Sequence, residues 1–174
     1  MRKLSRATCI VVVAGLCSVL APMSPVSAQK GTGAPGSVMV GGDVPRPFSL
    51  TLADLKAMPR TRVTLMAEGR STSYEGVLLA EVLTRAGAPL ARDLSGPALA
   101  SYVLASASDG YQALFALAEA DPALTGSELI VADSVDGRGL PEQQGPMRLV
   151  APHDKRAARS VRMLERIEVV RLRR

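Results

Sequence analysis

Both cysteines of this 174-residue chain, Cys9 and Cys17, fall inside one short apolar stretch near the N-terminus, and no other feature narrows the possible folds so far. The surrounding residues divide into three zones. Arg2, Lys3 and Arg6 make a positive start, Ala7 to Leu20 is almost continuously apolar, and Pro22 and Pro25 then break any helix. Val26-Ser27-Ala28 follows, with small side chains where a signal peptidase reads. This is the pattern of a cleavable export signal over residues 1–28, cut near Ala28-Gln29. Its apolar run of about fourteen residues is short of the roughly twenty that a bilayer span needs. Leu16 stands directly before Cys17, where a lipidation signal needs a small residue. The expectation is a periplasmic or secreted protein with no stable membrane span after processing.

Once residues 1–28 are removed, no thiol is left. The exported chain can form no disulfide in its oxidising compartment, and it offers no thiolate nucleophile or soft metal ligand. It must therefore be stabilised by its core alone. A single domain of this length buries roughly 70% of its unfolded surface, which is enough.

Charge is unevenly spread. The whole chain has 21 Lys and Arg against 16 Asp and Glu. Residues 29–154 hold 10 basic and 14 acidic groups, whereas residues 155–174 hold 8 basic and 2 acidic. The basic end is either a site for an anionic partner or a solvated strand with an Arg tail.

Residues 29–37 are mostly Gly, Pro, Thr and Lys and read as a flexible leader. Gly31, Gly33 and Gly36 spell G-x-G-x-x-G, but they precede a strand, whereas the dinucleotide fingerprint follows one. Strands are predicted at Val38–Val44, Arg62–Leu65, Ser71–Glu75, Leu99–Ser106, Tyr111–Leu117, Leu129–Ala132, Met147–Ala151 and Ile167–Val170. Glu68-Gly69-Arg70, Asp109-Gly110 and Asp136-Gly137 supply turns. Thr51-Leu52-Ala53-Asp54 opens a two-turn helix like a capping box. Leu78, Val82 and Ala86, with Leu79 and Leu83 beside them, mark a second helix ended by Gly87 and Pro89. Glu81 and Arg85 are spaced for an ion pair on its outer face. The fold expected is an α+β domain over residues 38–174: a mixed β-sheet with two short helices in its N-terminal half.

Several chemistries are excluded by residue type. His153 is the single histidine, so no His/Cys zinc site can be built within one exported chain. There is no G-x-S-x-G elbow and no phosphate loop. Asp133 to Gly137 has the wrong spacing for a calcium loop, with Gln144 where the bidentate Glu belongs. The few aromatics are absent from the Arg-rich end, so nucleic acid is not an expected partner.

An ordered series of short motifs remains. It comprises Tyr74-Glu75-Gly76-Val77-Leu78-Leu79 leading to Arg85-Ala86-Gly87; Ser108-Asp109-Gly110-Tyr111; Ile130-Val131-Ala132; Asp136-Gly137; Gly145-Pro146-Met147-Arg148-Leu149-Val150-Ala151-Pro152; and Arg159-Ser160-Val161-Arg162. Over residues 38–170 the series resembles the sulfite-oxidase-type molybdopterin-binding domain in a compact exported form. The resemblance implies molybdenum held by a dithiolene cofactor, with oxygen-atom or electron transfer. It also implies that Arg148, Arg159, Ser160 and Arg162 lie near the pterin and its phosphate, with Asp109 and Tyr111 at the pocket mouth. Two plainer alternatives stay open: Arg148 and Arg162 pair with carboxylates such as Glu142 or Glu165, and Asp109 and Tyr111 only shape a hairpin.

One departure is large. Catalytic members of that family bind molybdenum through a cysteine near the end of the strand before the Gly-Val-Leu-Leu helix. Here that neighbourhood is Leu65-Met66-Ala67-Glu68, with Met66 expected in the core. The expected function is binding of a molybdopterin-type or other anionic ligand without cysteine ligation. The alternatives are a non-catalytic interaction module, acting beside an envelope redox protein, and an enzyme with a substitute ligand.

Overall fold

A computed structural model describes residues 36–172. The expected export signal, the expected leader as far as residue 35 and the last two arginines lie outside the described residues. Ser37, at the leader's end, is already buried where it runs into the first strand.

Alternating buried and exposed residues build most strands, as side chains pointing to opposite faces require. In chain order these are β1 (Val38–Gly42), β2 (Phe48–Leu50), β3 (Thr61–Ala67), β4 (Arg70–Leu78), β5 (Ser101–Ala107), β6 (Gln112–Ala116), β7 (Ile130–Val135), β8 (Arg138–Gly139), β9 (Arg148–Val150) and β10 (Leu164–Arg171). Among the described residues three α-helices join them: α1 (Leu52–Ala57), α2 (Leu79–Ala86) and the single-turn α3 (Pro122–Thr125). The sequence predicts two of the three. Among the described residues, no helix is long and apolar enough to cross a membrane.

Local chemistry sets the ends of α1 and α2. In α1, Thr51 Oγ1 accepts from the Asp54 N–H at 3.1 Å, and Asp54 Oδ2 accepts from the Thr51 N–H at 3.1 Å. This is the capping box expected. Helix α2 ends at Gly87, whose φ of 79° lets its N–H reach back to Leu83 and Thr84. Leu78, predicted to open α2, instead finishes β4. Leu99 belongs to a 3-10 turn, so β5 begins at Ser101. Arg85 turns away from the predicted Glu81 pairing. It meets Asp54 of α1 at 3.1 Å and lies 4.6 Å over the Phe48 ring, a contact that no local spacing encodes.

The strands form two sheets. The first has the order β2-β1-β10-β5-β6, with β1 and β10 parallel and the other pairs antiparallel. The second runs β3-β4-β7, and β8 and β9 share the far edge of β7. The main core joins both sheets. Leu79, Val82, Leu83 and Ala86 of α2 pack with Val40, Val103 and Ile167 of the first sheet, and with Val77 and Val131 of the second. A smaller cluster of Val63, Leu65, Tyr74, Ile130, Ala132 and Val150 covers the second sheet's other face. Strand β7 is thus buried on both faces, which explains its unbroken apolar run.

A bulge between Glu75 and Gly76 lets β4 press against β7. A Cβ on Gly76 would stand 2.1 Å from the Val131 carbonyl oxygen, so no larger residue fits.

Candidate functional site

A cleft of about 430 Å³ opens on the face of the second sheet that carries the smaller cluster. Leu65 of β3, Tyr74 of β4 and Arg148 of β9 line its sheet side, and Arg148 is in register with buried Ala132 of β7. The facing wall comes from the segment between β9 and β10, with Ala158, Ser160 and Arg162. Asp109 and Tyr111 of the β5–β6 turn close another side. Glu68, from the β3–β4 turn, stands on the remaining edge.

Arg148 dominates this cleft. It is only 4% exposed. Its Nη1 donates to the Tyr74 hydroxyl at 2.9 Å and to Gln144 Oε1 at 2.5 Å, and the guanidinium lies 4.7 Å over the Tyr74 ring. These are neutral partners. Among the described residues neither Arg148 nor Arg162 forms an ion pair with Glu142, Glu165 or any other carboxylate. The Nε of Arg148 is buried with no acceptor. Burial pushes the guanidinium below its ordinary pKa; the Tyr74 oxygen opposes this, and the nearby charge of Arg162 adds to it. A buried cation without a counter-charge is costly, and such groups concentrate at binding sites.

The other residues singled out from the sequence divide between two places. Ser160, buried beside the cleft, accepts from the Ala151 N–H at 3.1 Å, so its own hydroxyl hydrogen remains available to donate. Arg162 is exposed at the cleft wall. Asp109 Oδ1 accepts from the Tyr111 N–H at 2.9 Å, and the Tyr111 hydroxyl donates to the Ala158 carbonyl across the mouth. Both open readings of this pair therefore describe the same residues, which form a hairpin turn that is also a cleft wall. Arg159 points elsewhere. It forks onto Asp154 at 2.7 and 2.9 Å, meets Glu119 at 2.9 Å and stacks 4.8 Å over Phe115. Those two carboxylates raise its pKa, Asp154 most strongly, and Arg159 borders a separate depression beside His153.

Tyr74, Gln144 and Glu68 escaped the sequence-based site list. Tyr74 opens the motif series, and its position among small residues was the available signal. Gln144 gave none: it lies only four residues before Arg148, but a 3-10 turn and Gly145 at φ 86°, not a regular element, set their contact. Met66 is 56% exposed and leaves the cleft side of β3 to Leu65 and Ala67, a correction to its expected place in the core. The alternation of β3 decides this, since Leu65 already takes the inward position.

With this geometry in hand, known proteins supply a frame. The family model for the oxidoreductase molybdopterin binding domain matches residues 35–174. Among solved structures, the chain is similar to the sulfane dehydrogenase SoxCD from Paracoccus pantotrophus, with a TM-score of 0.61 and 21% identity. That likeness covers 77% of this chain and 38% of the SoxCD chain, so the present chain spans well under half of that protein's length. No curated protein sequence matches it. The ordered motifs, the two-sheet α+β architecture and the family match along all the described residues agree, and the chain belongs to the oxidoreductase molybdopterin binding domain family.

Proposed function

We propose that this chain is an exported domain that binds an anionic small ligand in the cleft over Arg148, a molybdopterin-type group being one candidate. One observation carries the reading: the buried, acceptor-less Nε of Arg148, on a guanidinium that has no carboxylate partner. A carboxylate, phosphate or sulfonate would complete that fork. Ser160 and Arg162 add donors on the facing wall.

The residues fit the anionic part of a molybdopterin and do not fit a thiolate-held metal. The cleft side of β3 offers Leu65 and Ala67, neither of which can ligate molybdenum. Among the described residues no group of three or more His, Cys, Asp or Glu could hold a metal ion. Thiolate-ligated oxygen-atom transfer is therefore not part of this proposal.

Elemental analysis for molybdenum and pterin fluorescence after denaturation, on protein purified from its native host, test the cofactor. Finding neither removes molybdopterin from the proposal. A thermal melt with added inorganic phosphate tests the wider reading. Phosphate should raise the midpoint, and the absence of any rise up to tens of millimolar would remove the anion site.

A second reading, an interaction module beside an envelope redox protein, has one observation in its favour. Strand β6 is one of the two edges of the first sheet, and its Leu114 is 53% exposed. A stable partner retained by the full exported chain, with no small molecule bound, would favour it.

A further inference from the structure

The cleft over Arg148 carries both signs of charge, and they do not neutralise each other. Glu68 lines the same cavity as Arg148 and Arg162, yet no ion pair joins it to either within 4.0 Å. The two acidic groups on the rim differ in availability. Asp109 is engaged by the Tyr111 N–H, while the Glu68 carboxylate has no hydrogen-bond or ion-pair partner among the described residues. The backbone at Glu68 is also unusual. Its φ is 52°, at the first central position of the two-residue β3–β4 turn, with Gly69 at 75° behind it. Such a turn favours Asn, Asp or Gly at that position, and Glu is a poor choice on conformational grounds. Strained residues that persist tend to cluster where a site uses the side chain.

We propose that the cleft's occupant is amphoteric: its anionic group meets Arg148 and Arg162, and a protonated amine or other N–H donor at its far end meets Glu68. This rests on the anion-binding reading above and adds the second recognition point. Opposite charges held apart in one cavity select a ligand that carries both, spaced to reach them, over one that carries only the anion. A purely anionic ligand would satisfy Arg148 but bring its charge toward an unneutralised carboxylate.

Titration calorimetry on the exported chain tests this with two matched pairs of probes, ethanesulfonate against taurine and propanesulfonate against 3-aminopropanesulfonate. Sulfonates stay ionised throughout, and within each pair the members differ only by the ammonium group. At least one amino compound should bind about tenfold more tightly than its parent, the size expected for one charge-assisted hydrogen bond. Glu68→Gln should erase that preference. Glu68→Asn, which suits the turn better than the native residue, should erase it too and guards against a folding artefact. Amino compounds binding no more tightly than their parents, or a preference surviving in both variants, would overturn the proposal. If none of the four probes binds, the anion site itself falls and this inference with it; binding without preference sinks the amphoteric ligand alone.

Discussion

Arg148 sets stability against binding. Its charge is almost wholly withdrawn from water and compensated only by a ring face, a hydroxyl and an amide. Arg148→Met preserves most of the volume and removes the desolvated charge. The thermal midpoint should stay level or rise by about 3 °C, roughly 1 kcal/mol, while the increase caused by phosphate disappears. Melts of both proteins with and without phosphate check the two halves together. Glu68→Asn should likewise raise the midpoint, by a fraction of the roughly 1–2 kcal/mol that the left-handed region costs ordinary residues. Their motifs made Arg148 and Arg162 legible as cleft residues, and the rise in charge beyond residue 154 marked Arg162 as well. Neither signal could separate Arg159 from them: the fork onto Asp154, five residues earlier, follows no regular helix or strand spacing, and the second partner, Glu119, lies forty residues away. Those two carboxylates turn the Arg159 guanidinium away from the cleft.

Among the elements, the two-residue turns were readable because Gly69 and Gly137 each supply the positive φ that such hairpins need. Longer-range pins were not. Arg60, between α1 and β3, forks onto buried Asp133 of β7 at 2.6 and 3.1 Å and also reaches Glu75 of β4 at 3.4 Å. Burial alone would push the Asp133 carboxyl up, but the Arg60 fork and the Ser134 hydroxyl outweigh it, and its pKa ends below the ordinary value. A carboxylate whose folded pKa is depressed contributes stability that is full above its unfolded pKa and is lost as pH falls through the folded value. Wild-type unfolding free energy should accordingly decline below about pH 4. In Arg60→Met only the Ser134 hydroxyl and the charge of Lys56 still oppose burial at Asp133, so the depression of its pKa shrinks and that group's contribution with it. The variant should be about 2 kcal/mol less stable at neutral pH and show a flatter acid limb. Urea titrations from pH 3 to 7 measure both. Gly76→Ala attacks the β4–β7 seam directly. The Val131 carbonyl cannot retreat without breaking the ladder, so a loss of more than about 3 kcal/mol is expected in the same titration.

At the scale of the whole molecule, the α+β class followed from the mixture of twofold and helical periodicities and needed no tertiary knowledge. The division into two sheets did not follow. Strand β1 lies parallel to β10, with Gly42 beside Val169, and no local pattern announces a partner at such separation. The twofold burial of β7 was visible as an apolar run, but what would cover each face was not. Since both cysteines precede residue 18, the domain's stability should be indifferent to redox conditions. The purified chain should give the same unfolding midpoint with and without millimolar dithiothreitol, and a shift would show that a thiol is retained and engaged. The stretch from Ala157 to Arg162 is anchored on one side by the Arg159 fork and laced to β9 by the bonds from the Leu149 N–H to Val161 and from the Ala151 N–H to Ser160. A wall so fastened is rigid before any guest arrives. Entry need not freeze a loop, and molecules should be sorted by their outline, the over-wide ones turned away where a softer rim would have yielded.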